Sequence, residues 1–159
     1  MTILKARCLI LACGNTLRGD DGIGPWLAQW AENRFQSESA VRVQSRQQWT
    51  PELSEEIAQA NSVLFIDCSI ASDPGSVLLV PVAPAEVDPG IATHHMGAPQ
   101  LLSLSKEFYD SLPHCAQLLT VGAASTELGE SFSDPVAAAI PTACKMIEEI
   151  VLRALQERT

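Results

Sequence analysis

Cys13-Gly14-Asn15-Thr16-Leu17-Arg18-Gly19-Asp20-Asp21-Gly22-Ile23-Gly24-Pro25 is the stretch that decides how this chain folds. Before it lies Cys8-Leu9-Ile10-Leu11-Ala12, an apolar run too short for a helix that reads as a buried strand. After it, Trp26-Leu27-Ala28-Gln29-Trp30-Ala31 has a helical pattern, with Pro25 suited to its first turn. The stretch is therefore a strand-to-helix loop at the carboxyl end of a first strand, where open α/β sheets place their ligands. Its glycines let the backbone pass close to a neighbour. A phosphate is the usual guest of such a loop. Here the spacing is not G-x-G-x-x-G, no G-K-[ST] follows, and two carboxylates, Asp20 and Asp21, occupy the place. Two unit charges ~4 Å apart repel by roughly 4 kcal/mol at an intermediate dielectric, so a cation is the better guest. A plainer role, capping the helix that follows, is equally open to both acids.

Composition narrows the class. The chain has 159 residues, 47% of them apolar, enough to bury one core, so residues 1–159 are expected to form a single domain. A formal charge of −9 argues against nucleic acid or an anionic membrane as partner. No apolar run reaches the length of a membrane span, and the N-terminus lacks the features of a signal peptide, so a cytoplasmic protein is expected. Cys8, Cys13, Cys68, Cys115 and Cys144 are odd in number and include no C-x-x-C, which points to a reducing compartment and no disulfide framework. Cys8, Cys68 and Cys144 fall inside apolar patterns, while Cys115 is expected in a turn.

Further along, Val41-Arg42-Val43 alternates as a second, more exposed strand, and Pro51 opens a short amphipathic helix over residues 52–58. Ser62-Val63-Leu64-Phe65-Ile66-Asp67 is the clearest buried strand, and it ends in a carboxylate. Val77 to Val82 is another strand, which Pro81 confines to a sheet edge. A loop then delivers Thr93-His94-His95-Met96, followed by a helix carrying Leu101, Leu102, Leu104 and Phe108. Residues 117–122 form the last strand. Ser133 or Asp134 caps a closing helix that runs to about Arg158. Strands alternating with helices imply a three-layer α/β/α sandwich around a mostly parallel sheet.

Parallel strands present their carboxyl ends along one edge, which gathers Asp20-Asp21, Asp67 and the His94-His95 loop. A carboxylate that ends an apolar run is costly unless something pairs with it. Adjacent histidines in extended chain point opposite ways, so at most one of the two faces the carboxylates. One imidazole with two carboxylates is a ligand set for nickel, zinc, manganese or iron. His114, next to Pro113, reads as structural. There is no G-x-S-x-G and no H-E-x-x-H, so hydrolytic chemistry here would fall to metal-bound water or a metal-polarised carbonyl.

Gly14-Asn15-Thr16-Leu17-Arg18-Gly19-Asp20-Asp21-Gly22-Ile23-Gly24 resembles the N-terminal signature of the nickel-iron hydrogenase maturation endopeptidases. Val63 to Asp67, Thr93 to Met96 and Ser131 to Val136 are similar to that family's later blocks. The resemblance implies a phosphorylase/hydrolase-like sheet of five strands, order 2-1-3-5-4, with strand 4 antiparallel. It implies a protease that removes the C-terminal extension of a hydrogenase large-subunit precursor once nickel is in place. The nickel is carried by the substrate and need not be present in the isolated protein. Asp21, Asp67 and His94 are the implied catalytic and nickel-reading residues, with His95 the alternative to His94. The expected partner is the precursor's C-terminal tail, met by a monomer, without nucleic acid or membrane. Two other readings stay open: a nickel- or precursor-binding maturation factor that does not cut, and a nucleotide-binding α/β domain, which the paired acids disfavour.

Overall fold

The computed structural model describes residues 6–85 and 96–157, and its elements alternate along the chain. They are β1 (Cys8–Cys13), α1 (Ile23–Arg34), β2 (Val41–Arg46), α2 (Leu53–Gln59), β3 (Ser62–Ser69), β4 (Val77–Pro81), α3 (Ala98–Tyr109), β5 (Cys115–Gly122) and α4 (Asp134–Gln156). One five-stranded sheet has the order β2-β1-β3-β5-β4, with β4 antiparallel to β5 and every other pair parallel. Fold class, strand order and the antiparallel edge all agree with the sequence-based expectation.

Strand parity builds the three layers. Cys8, Ile10 and Ala12 of β1 and Leu64 and Ile66 of β3 face α1 and α4, packing on Ile23, Leu27, Val136, Ala143 and Ile147. The intervening residues Leu9, Leu11, Val63 and Phe65 face the other way, onto Leu53 and Ile57 of α2 and Leu101 and Leu102 of α3. Because β1 and β3 are covered on both faces, they read as unbroken apolar runs rather than alternating ones. Trp49 closes the second core edge-on to Phe65, with ring centroids 5.2 Å apart. Pro81 sits on an edge strand, as a residue without an N–H must.

α4 is the longest element, and its buried residues Val136, Ala139, Ala143, Ile147 and Val151 recur at helical spacing. It passes through Pro141, which lies on the solvent side where loss of one backbone donor is least costly. Arg34 of α1 and Glu148 of α4 pair at 3.0 Å across the two helices. No helix among the described residues is long and apolar enough to cross a membrane.

Three sequence-based details are corrected. β3 runs two residues past Asp67, to Ser69, because Asp67, Cys68 and Ser69 pair with Thr120, Val121 and Gly122 of β5. Cys115 opens β5 and is exposed there, rather than lying in the preceding turn. Ser133 is the N-cap residue of α4 but makes no side-chain bond to that helix, because its hydroxyl is directed to Asp20.

Candidate active site

The loop after β1 is set by two close approaches. Gly14 has φ +152°, and a Cβ there would sit 2.0 Å from the Asp21 carbonyl oxygen, so no side chain fits. At Gly24, in the first turn of α1, a Cβ would meet the Cys13 carbonyl oxygen at 2.3 Å. The helix thus lies directly against the strand it follows. Asp20 and Asp21 are held between them in a 3₁₀ turn, Gly19–Gly22.

In that turn the two acids part company. The Asp21 carboxylate accepts the Asn15 N–H at 2.7 Å, while the Asn15 side chain accepts from the Leu17 N–H at 2.9 Å. Asp21 is half-buried and keeps acceptor capacity free for something else. Asp20 is 1% exposed. Its carboxylate accepts from the Ala124, Ser125 and Ser133 N–H groups at 2.8, 3.1 and 2.7 Å and from the Ser133 hydroxyl at 2.8 Å. Burial pushes the Asp20 carboxyl up, but these four bonds outweigh it and hold it below the ordinary carboxylate range. Neither side chain caps α1, whose N-cap residue, Gly22, makes no side-chain bond.

Asp67 is half-buried on β3, on the same sheet face as Cys13 of the neighbouring strand. It accepts the Cys68 N–H at 2.7 Å and the Cys13 thiol. Burial raises its pKa, and the nearby Asp21 charge adds to the rise, against the lowering effect of those two hydrogen bonds. The same surroundings act on the thiols. Burial and then the Asp67 charge push Cys13 well above the usual thiol range. Burial followed by the Asp21 and Asp67 charges takes Cys68 to about 12. Asp21, Asp67, Cys13 and Cys68 therefore form one electrostatically coupled group at the carboxyl edge of the sheet. Within it both thiols are protonated at neutral pH and neither is an activated nucleophile.

His94 and His95 lie outside the described residues, so the expected third member of the set has no stated position. Among the described residues no group of three or more histidine, cysteine, aspartate or glutamate side chains is arranged to hold a metal ion. His114 is exposed, and its backbone N–H bonds to the Asn61 carbonyl at 2.7 Å at the opposite edge of the sheet. A cavity of about 160 Å³ lined by Cys8, Ser62, Cys115, Arg153 and Glu157 also lies at that opposite edge, away from the carboxylates. Sequence reading missed the four-bond seat of Asp20, for which no local signal exists. It also missed the Cys13–Asp67 contact, which strand parity alone could have suggested.

No family model matches the chain, and no curated protein does. Solved structures do. The chain is similar to the hydrogenase maturating endopeptidase HybD from E. coli, with 20% identity, 93% of each chain covered and a TM-score of 0.74. It is also similar to the [NiFe] hydrogenase maturation protease HycI from Thermococcus kodakarensis, at 24% identity, 92% of each chain and a TM-score of 0.67. The [NiFe] hydrogenase maturation protease HybD from Thermococcus kodakarensis matches at 26% identity, over 91% of this chain and 98% of that one, with a TM-score of 0.64. The chain carries the fold of the hydrogenase maturation endopeptidases along more than nine-tenths of its length, and the resemblance read from its glycine-acid loop is borne out.

Proposed function

We propose that this protein is an endopeptidase that removes the C-terminal extension of a nickel-iron hydrogenase large-subunit precursor after nickel insertion. The observation that carries the reading is the pair Asp21 and Asp67 at the carboxyl edge of the sheet. These two acids repel each other, and no cation among the described residues is paired with either of them. Such a pair is completed by a cation brought from outside, and a substrate-borne nickel ion is one. The three structures described above, named as hydrogenase maturation proteases or endopeptidases, favour that cation over others.

In this reading Asp21 and Asp67, with His94 from the sequence preceding α3, hold the nickel of the precursor and so fix its tail against the sheet edge. With Cys13 and Cys68 both protonated, water rather than a thiol attacks. The protein acts as a cytoplasmic monomer on the precursor tail, and the metal leaves with the product.

The deciding experiment incubates the protein with nickel-loaded and nickel-free precursor and reads intact mass. Shortening of the nickel-loaded form alone is expected. Equal processing of both would remove the metal-reading role, and binding without shortening would favour a non-cutting maturation factor. Asp21→Asn, Asp67→Asn and His94→Ala should each abolish cleavage. A fully active His94→Ala protein would transfer the role to His95.

A further inference from the structure

The segment joining β5 to α4, residues 123–133, has almost no regular structure, yet it is tied closely to the loop after β1. The Gly19 N–H bonds to the Gly129 carbonyl at 2.6 Å, the Gly129 N–H to the Leu17 carbonyl at 2.9 Å, and the Asp20 N–H to the Ser125 carbonyl at 3.0 Å. Arg18 and Gly129 form a single parallel bridge between the two segments. Beneath them lies the Asp20 carboxylate, whose four donors all come from residues 124, 125 and 133. A carboxylate with four donors has no strong acceptor site left for a metal, so Asp20 is not a third oxygen ligand. What it does is join two loops at the sheet edge that carries Asp21 and Asp67. At the joint two leucines stand among exposed charged residues: Leu128 is 80% exposed and Leu17 55%, beside Arg18, Glu127 and Glu130. Isolated exposed leucines are ordinary, but these two stand on segments that the Gly129–Leu17 backbone bond holds together, one of them the loop that carries Asp21.

We propose that Asp20 is a positioning residue that fixes residues 123–133 as one wall of the substrate cleft, and that Leu128 on this wall, beside Leu17, receives an apolar part of the precursor polypeptide next to the cut. The inference rests on the endopeptidase reading and adds to it the substrate class met by this wall, an apolar peptide segment. The wall contributes binding that is the same in ground and transition states, so its loss raises KM and leaves kcat nearly unchanged. A loss of Asp21 or Asp67, which hold the nickel, abolishes cleavage instead.

The test uses the full chain and a nickel-loaded large-subunit precursor. Leu128→Ser alters only an exposed side chain and is expected to raise KM about tenfold with kcat within about twofold. Asp20→Asn keeps the shape, but an amide nitrogen then faces backbone or hydroxyl donors. It is expected to raise KM at least as far and to speed amide exchange across residues 123–133 about tenfold or more. Ser133→Ala removes one of the four bonds and should fall between wild type and Asp20→Asn in both readouts. Unchanged KM in Leu128→Ser overturns the proposal whether or not the Asp20 variant folds, as does a fall confined to kcat in a folded Asp20→Asn protein. A wild type that cuts neither form of precursor would defeat the endopeptidase reading and the substrate-facing role together. The amide exchange would then still report separately on the Asp20 joint.

Discussion

Replacing Gly24 by alanine tests whether the packing of α1 on β1 sets the position of Asp21. The added Cβ would lie 2.3 Å from the Cys13 carbonyl oxygen, while ordinary contact begins near 3.4 Å, so helix or strand must yield by about 1 Å. The obstacle is backbone on both sides and cannot swing away. Two effects on stability oppose each other. Overpacking costs about 1–3 kcal/mol, and the better helix propensity of alanine returns up to about 1 kcal/mol. A net loss of about 0–3 kcal/mol is expected from urea denaturation. Activity should suffer more, because Asp21 sits three residues before Gly24 in the turn that leads into the helix. A catalytic group misplaced by about 1 Å can cost about a hundredfold in rate. Cleavage of nickel-loaded precursor, followed by intact mass, supplies that number. Gly97→Ala is the control, since its nearest atom is the movable end of the Gln100 side chain. A Gly24→Ala protein with wild-type cleavage would refute the claim that this contact places the acid.

Other expectations are independent of that one. Asp67→Asn should melt at a higher temperature than wild type at pH 7 while losing activity. Burial and the Asp21 charge raise the folded-state pKa of Asp67, so the ionised form destabilises the fold at neutral pH. That cost grows as pH rises from the ordinary carboxyl value through the raised one, so the gap in melting temperature should close as pH falls towards about 4; a lower melting temperature at pH 7 would contradict the sign. Phe65→Ala, at a residue with 0% exposure packed on Trp49, should cost about 3–5 kcal/mol by urea denaturation, and a loss below about 1 kcal/mol would mean the second core is misread. Iodoacetamide at pH 7.5 should modify Cys115 first in the native protein, since Cys8 and Cys13 are buried and Cys68 is raised to about 12. Rapid labelling of Cys13 or Cys68 in a peptide map would show a thiolate at the site.

Strands and helices were legible because each has a periodic pattern that local physics enforces. Apolar runs at Cys8 to Ala12 and Val63 to Ile66 marked the doubly covered strands, and Pro81 marked an edge. The order of the strands came from the resemblance of the glycine-acid loop, not from periodicity, which carries no topology. Asp20 and Asp21 read as one paired unit because they are adjacent. In a 3₁₀ turn, at three residues per turn, neighbouring side chains diverge by about a third of a circle, so adjacency separates them rather than joining them. The partners of Asp20 lie more than a hundred residues further on, and no local spacing encodes such a contact. β3 outran its apolar run because its ladder to β5 is made by backbone groups, which continue past a carboxylate as readily as past a valine.

The sheet order also governs how the molecule comes off the ribosome. β3 finds β5 only after α3 and the segments around it have been made, and Arg34 waits for Glu148 near the far end of α4. Until β5 emerges, one side of an apolar strand has no neighbour to hydrogen-bond. Nascent chains halted before Cys115 should therefore stick to chaperones or to one another, whereas the finished polypeptide should close its sheet late and in one cooperative step.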